Sequence, residues 1–409
     1  MPKSLDIKLA NIHANPSGAK DFILADAKDA DMAFGLASPG KDPVTGKTRS
    51  LSDYRDQMRE IVRQSLVDIM LMSASSSEVL TIKERLFDSS PVTPAARAND
   101  TTDIHLIAGT DYAKEPSRPF RTATIEQIQS GKINPTPQER TLGANLGLYS
   151  MTINNKIDFD YATIDAYKQF RAEAETKGFR HFLEIFDPNA CDGACPHNVG
   201  RFLNDLIART LAGVPSTGRP IFLKIPFHGR EAMEQLVAYD PHLVPGILGG
   251  SAGTTHDAFK LLADARGAGA RAALFGRKIN TADHQLTFVK YLRAIADNQI
   301  KAEEAVRAYH GELERLKIKP QRALQDDLAL TTAASAYAGT SAPPSKPSAK
   351  PNGSALVAKS VVAKPAAATT ESNLPLTASG NPDFKKMSPA QKVAYSRQRI
   401  RSDLARHQS

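Results

Sequence analysis

RPIFLKIPFHG, residues 219 to 229, sets Lys224 in the middle of an apolar run, and RHFLEIFDP, residues 180 to 188, does the same with Glu184. Both runs read as β-strands. Alternation of side chains puts Phe222, Lys224 and Pro226 on one face and Ile221, Leu223 and Ile225 on the other; in the second run Phe182, Glu184 and Phe186 oppose Leu183 and Ile185. The aliphatic triplets suit a face packed under helices, so the lysine and the glutamate point the other way. Taking an amine out of water favours its neutral form, and a neutral amine attacks a carbonyl to form a Schiff base. A plain buried ion pair is the other reading, set against the rarity of fully buried charges.

A second group of residues has the chemistry of phosphate recognition. GILGGSAGTTHDAF closes one apolar run with Gly249 and Gly250 ahead of a helix start, and ALFGRKIN closes the next with Gly276 and Arg277. Glycines let an anion approach backbone N–H groups, a helix N-terminus adds a favourable dipole, and an arginine pairs with the phosphate oxygens. Turn glycines with no ligand are the alternative.

The elements that must carry these residues form a regular series. Apolar runs ending in Gly, Asp, Asn or Ser occur at DFILADAKD, VDIMLMSAS, TDIHLIAG, LGLYSMTIN, RHFLEIFDP, RPIFLKIPF, LVPGILGGS and ARAALFGRK, which makes eight. Helical patterns lie between them, as in LSDYRDQMREIVRQSL, DYATIDAYKQFRAEAETKG, NVGRFLNDLIARTLAG, REAMEQLVAY and THDAFKLLADARGAG. Strands alternating with helices predict an α/β protein with a parallel sheet, and eight units over roughly 300 residues predict a TIM (β/α)8 barrel with its site at the C-terminal ends of the strands. Lysine and glutamate then enter the barrel from adjacent strands, five and six, with the glycine loops following strands seven and eight.

Taken in order, LEIFDP, FLKIPF, GILGGSAGTTHDAF and GARAALFGRKIN resemble the class I aldolases, the group of tagatose-bisphosphate aldolase, the archaeal-type fructose-bisphosphate aldolases and, more distantly, deoxyribose-phosphate aldolase. The resemblance is clear over residues 181 to 300 and faint over 20 to 180. It implies a metal-independent, cofactor-free carbon–carbon lyase in which Lys224 forms the Schiff base and Glu184 moves protons. It also implies that Gly249, Gly250, Ser251, Gly276 and Arg277 hold a phosphate, and that Asp26, with Lys28 beside it, orients substrate hydroxyls. Where the tagatose-bisphosphate enzymes carry a lysine on strand four, this chain has Ser150, Thr152 and Asn154; where the archaeal-type enzymes use a tyrosine after strand five, it has Phe186. The substrate expected is a phosphorylated sugar, a ketose phosphate or bisphosphate. A non-catalytic barrel that binds sugar phosphate and works as a sensor or scaffold through its tail is the alternative.

Other residues fit this frame less directly. His105, in the third run, and His228, just after the lysine run, could line the mouth by contacting phosphate or by packing. Cys191, Cys195 and His197 form a C-x3-C-x-H cluster that lacks a fourth ligand for zinc, so no metal is expected. Two cysteines in a chain of 409 residues suit a reducing compartment, and the N-terminus lacks a secretory h-region, which points to the cytoplasm.

The net charge of +8 resides entirely in residues 335 to 409, which carry 11 Lys/Arg and 3 acids. The body is neutral overall, which argues against nucleic acid as its partner. The expected layout is an N-terminal arm (1–19), the barrel (20–315), a helical extension (316–340), a disordered Pro/Ala/Ser/Lys linker (341–380) and a basic helical tail peptide (381–409) with Val393, Ile400 and Leu404 at helical spacing. Such a tail suits docking into a protein shell or multienzyme assembly. Further copies of the chain, forming a homo-oligomer, complete the expected partners.

Overall fold

A computed structural model describes residues 1–42, 45–191, 193, 195–250, 253–331, 383 and 386. The chain divides into two units, Met1–Pro344 and Ser345–Ser409. The expected linker and, apart from Asp383 and Lys386, the expected tail peptide with Val393, Ile400 and Leu404 lie outside the described residues.

Eight parallel strands close into a barrel: β1 Ile23–Lys28, β2 Ile69–Met72, β3 Thr93–Arg97, β4 Leu146–Thr152, β5 Arg180–Phe186, β6 Leu223–Ile225, β7 Pro245–Leu248 and β8 Ala272–Phe275. β1 pairs with both β2 and β8, which completes the circle. Helices expected from the sequence form nearly where expected, among them Leu51–Gln64, Ile157–Thr176, Val199–Ala212, Arg230–Tyr239 and Thr255–Gly267. The first shows why. Ser50 caps it in a reciprocal box with Asp53, and Tyr54, Met58, Ile61 and Val62 form one buried face. No described helix is long and apolar enough to cross a membrane.

Strand alternation sorts the core into two compartments. Met70, Tyr149, Leu183, Leu223, Ile247 and Phe275 point outward into the layer shared with the helices. Inside, Ile23, Ile69, Leu148, Phe182, Phe222 and Leu274 fill the barrel. Phe182 and Phe222 stack with ring centroids 4.5 Å apart, two residues before Glu184 and Lys224 in their respective segments.

The third strand differs from expectation. The run 102–109 is a turn region, and β3 is TPAAR, residues 93–97. This strand has no bulky β-branched residue except Thr93, and Pro94 interrupts it, so it carries little β signal. It is held because its neighbours are in place: Ile69 to Met72 pair with Thr93 to Ala96 in register. His105 therefore does not sit on a barrel strand; its ring packs edge-on to Phe120 at 5.0 Å. Residues Asp100–Thr101 and Pro119–Phe120 form a small antiparallel ribbon instead.

The N-terminal arm holds a helix, Ser4–Ala14, whose Leu5, Leu9 and Ile12 join the interior cluster of the barrel. Polar contacts fix it over the strand starts: Lys8 reaches Phe22 O at 3.0 Å and Asp68 at 2.8 Å, and Arg180 pairs with Asp6 at 2.6 Å. The helix closes the end opposite the lysine. Leu5 is fully buried, so Leu5→Ala should cost about 2–4 kcal/mol in chemical denaturation. A loss below about 0.5 kcal/mol, the range of surface substitutions, would place the helix outside the barrel core.

Candidate active site

Lys224 and Glu184 are neighbours in register on β6 and β5, and both point into the barrel. Lys224 Nζ lies 2.5 Å from Glu184 Oε1, with the two residues 6% and 1% exposed. The other carboxylate oxygen, Oε2, accepts from Ser150 Oγ at 2.6 Å and from Arg97 at 3.4 Å. Arg97 also donates to Ser150 Oγ at 3.0 Å and, through Nε, to Asp29 Oδ2 at 2.6 Å. Asn99 locks the strand that carries Ser150, accepting its N–H at 2.6 Å and donating to its carbonyl at 2.8 Å. The result is a continuous chain of charge across the mouth: Lys224, Glu184, Arg97, Asp29.

Burial alone would pull the Arg97 guanidinium down, but the carboxylates of Asp29, Glu184 and Asp100 outweigh it and hold the group above its ordinary range. It is a permanent cation. Burial pushes the carboxyl of Asp100, 4.0 Å from Arg97, up to about 6 even though the arginine opposes the shift.

The cavity above the lysine is walled on the β7 and β8 side by Gly249, Gly250, Gly276 and Arg277. Gly276 is required by space, since a Cβ there would lie 2.4 Å from Ala27 O, and Gly250 adopts φ +61°. Arg277 stands over the Phe34 ring, 5.4 Å from its centroid, with no ion pair among the described residues. Ser251, expected in the same loop, lies outside the described residues.

Several expected residues are placed elsewhere. Asp26 and Lys28 sit on the outward face of β1 with Leu24, while Ala27 and Asp29 face the cavity. They form a pair at 3.4 Å, both fully buried, with Lys28 Nζ 5.6 Å from the Tyr54 ring centroid. Burial raises the Asp26 carboxyl to about 6 and lowers the Lys28 amine. His228 pairs with Asp187 at 2.7 Å and does not line the lysine cavity. The start of helix Thr255–Gly267 is also taken: the N–H of Thr254 donates to Asp257 at 2.7 Å and that of Thr255 to Asp327 at 2.8 Å. Asp327 comes from the 316–331 extension, which folds back through a short helix, Leu324–Leu328. Arg277 and the glycine backbone are what this side presents to the cavity. Cys191 and Cys195, expected to suit a reducing compartment, are joined in a disulfide, and the described residues contain no cluster able to hold a metal.

Arg97 and Asp29 were missed. Arg97 was hidden by the misplaced third strand. Asp29 could have been found by the facing rule used for strands five and six, because Phe22 and Leu24 mark the outer face of β1 and leave Ala25, Ala27 and Asp29 for the interior.

The closed eight-stranded parallel barrel is a fold shared with solved structures of aldolases. A crystal structure of an archaeal fructose 1,6-bisphosphate aldolase matches at 12% identity with TM-score 0.50, covering 71% of this chain and 99% of that one. An archaeal fructose-1,6-bisphosphate aldolase whose catalytic lysine is covalently bound to the carbinolamine intermediate of its substrate matches at 14% identity and TM-score 0.50, over 71% and 99%. A Schiff-base-forming fructose-1,6-bisphosphate aldolase matches at 15% identity and TM-score 0.50, over 72% and 100%. At these identities the likeness is one of fold. No protein-family model matches the sequence, and no curated protein matches it.

The outward placement of Asp26 and Lys28 has a measurable consequence. Replacing both by apolar residues (Asp26→Leu with Lys28→Met) should leave stability unchanged or raise it by up to about 4 kcal/mol, because an ion pair out of water recovers little of its desolvation cost. The sign with pH follows from Asp26, whose folded carboxyl titrates near 6 against 3.8 for the free group. The folded state holds that proton more tightly, so the group's contribution to stability declines as pH rises from about 4 to 6 and stays low above. Asp26→Asn should flatten that part of a stability-against-pH curve; an unchanged slope would show that Asp26 is not the group responsible.

Proposed function

We propose that the chain is a class I aldolase, a metal-independent Schiff-base lyase that cleaves a carbon–carbon bond in a phosphorylated sugar. The observation that carries this reading is the 2.5 Å contact between Lys224 Nζ and Glu184 Oε1 at the buried end of a cavity whose rim is Gly249, Gly250, Gly276 and Arg277. Nucleophile, proton carrier and anion anchor share one enclosure. The likeness in fold to aldolases that form Schiff bases supports the same reading.

With the pair's proton on the carboxylate, the Lys224 amine attacks the ketose carbonyl and gives a carbinolamine. Glu184 then protonates the departing hydroxyl, water leaves and a protonated imine remains. A base removes the proton from the hydroxyl beyond the scissile bond, that bond's electron pair moves into the imine, and an aldehyde departs from an enamine. Protonation of the enamine carbon and addition of water release the second product and restore the amine. Arg97 and Ser150 hold Glu184 in place throughout, and the phosphate at Arg277 converts remote binding into orientation.

Lys224→Met should abolish borohydride trapping of a ketose phosphate on the protein while circular dichroism shows the fold intact. Trapping that persists in this variant, located by peptide mapping on another lysine, would remove the central assignment. Arg277→Ala should weaken binding of the phosphorylated sugar by about 1–3 kcal/mol, the range for a lost charge-assisted hydrogen bond, and leave the unphosphorylated sugar unaffected. Equal losses for the two sugars would place the phosphate elsewhere.

A further inference from the structure

We propose that helix Ile157–Thr176 is a contact through which two copies of this chain pair, antiparallel about a twofold axis, with Tyr161 of each copy against Ile164 of the other.

Exposure picks out the helix. Thr163, Tyr167, Phe170 and Ala174 form its buried face. To one side of that face runs a second stripe, turned to solvent, in which Ile157 is 79%, Tyr161 70% and Ile164 38% exposed, and Lys168 continues it one turn further on. Their spacing along the sequence places all four on one line of the helix. A large apolar side chain exposed singly is ordinary, whereas three in a row on one helix face mark an interaction surface. The base of the stripe is firmly held: Asp160 accepts the N–H groups of Asn154 and Lys156 at 2.8 Å each, and Asn154 donates to Asn189 Oδ1 at 2.9 Å.

The charges on the same helix point to the occupant. Asp158 and Lys168 are exposed, and neither has an ion pair or side-chain hydrogen bond among the described residues. Other charged groups of this segment are engaged: Asp165 accepts from Gln169 at 2.6 Å, Glu175 accepts from Thr217 at 2.8 Å, and Arg171 lies over the Tyr167 ring, 5.2 Å from its centroid. Asp158 and Lys168 cannot serve each other within one copy. The helix between them rises about 15 Å, well beyond the screening length of about 8 Å at physiological ionic strength.

An antiparallel pairing centred between Ala162 and Thr163 satisfies both features at once. Tyr161 meets Ile164, Ile157 meets the aliphatic stem of Lys168, and the Lys168 ammonium reaches the partner's Asp158. Every contact then occurs twice, as a self-complementary surface requires. A parallel pairing would set Asp158 against Asp158 and Lys168 against Lys168, a juxtaposition of like charges that disfavours it. One helix from each copy buries less than the roughly 800 Å² per partner of a standard interface, so the dimer forms and dissociates with concentration.

Sedimentation velocity on the full-length chain, from about 1 to about 100 μM, tests this by mass action. The chain should pass from monomer to dimer over that range, and Tyr161→Glu should raise the dissociation constant by about tenfold or more, as loss of a central aromatic contact does. Asp158→Lys and Lys168→Asp should each weaken the dimer, and the two together should restore it, because the exchanged charges meet again across the axis. All three positions are exposed, and circular dichroism on each variant checks that the fold is kept. A chain that stays monomeric throughout, association that Tyr161→Glu leaves unchanged, or a double exchange no better than the single ones overturns the proposal.

Discussion

Four charged side chains lie side by side inside a barrel that is otherwise packed with aliphatic and aromatic groups, and their mutual pairing is what makes their burial tolerable. Lys224, Glu184 and Arg97 come from β6, β5 and β3, Asp29 directly follows β1, and each touches the next. An isolated ion of this kind would be strongly destabilising. The chain of contacts sets each carboxylate against a cation, and Ser150 and Asn99 supply neutral hydrogen bonds at the junctions. Pairing makes the arrangement compatible with a closed, packed barrel.

The rest of the molecule supports that set from below and from the side. Stacked Phe182 and Phe222 form the floor under Glu184 and Lys224, and the N-terminal helix seals the layer beneath them with Leu5, Leu9 and Ile12. The lower barrel is thereby filled with apolar side chains, and the cavity that Lys224 lines lies on the mouth side. On the outer side, the 316–331 extension grips the start of the helix after β7: Thr331 and Asp257 meet at 2.6 Å, Thr254 donates to Ala329 O at 2.8 Å, and Asp327 takes the Thr255 N–H. That grip fixes the base of the loop containing Gly249 and Gly250. It also uses up the helix N-terminus on which an anion could otherwise have rested.

Arg97 bears on how the site departs from the aldolases the sequence resembles. Strand four of those that act on tagatose bisphosphate holds a lysine, and Ser150 stands on that strand here. The cation at Glu184 comes instead from β3, and its guanidinium engages the glutamate, the serine and Asp29 at once. A lysine would offer three donors on a single nitrogen, whereas the planar arginine spreads five over three nitrogens. The arginine is consequently committed to the protein's own carboxylates, and Arg277 is the cation lining the cavity that has no carboxylate partner among the described residues.

Much of this was legible in the chain. Strong alternation in RHFLEIFDP and RPIFLKIPF put Glu184 and Lys224 inside the barrel, since a strand with aliphatic residues on one face has little freedom in how it packs, and the glycines after strands seven and eight marked the rim on which Arg277 stands. The third strand was not legible, because TPAAR has no local preference for β structure and becomes a strand only between β2 and β4. Arg97 was lost with it. Asp26 and Lys28 were assigned to the mouth by the resemblance of the strand-one end, yet the face of a strand is decided by what packs against it, and Tyr54 and its helix claim that side. The N-terminal helix gave a weak signal, as its three buried residues find their partners only once the barrel exists. Sequence determined the elements whose apolar pattern is self-sufficient; tertiary structure decided every residue whose role depends on a neighbour distant in the chain, because pairing a buried charge requires a partner that local pattern cannot name.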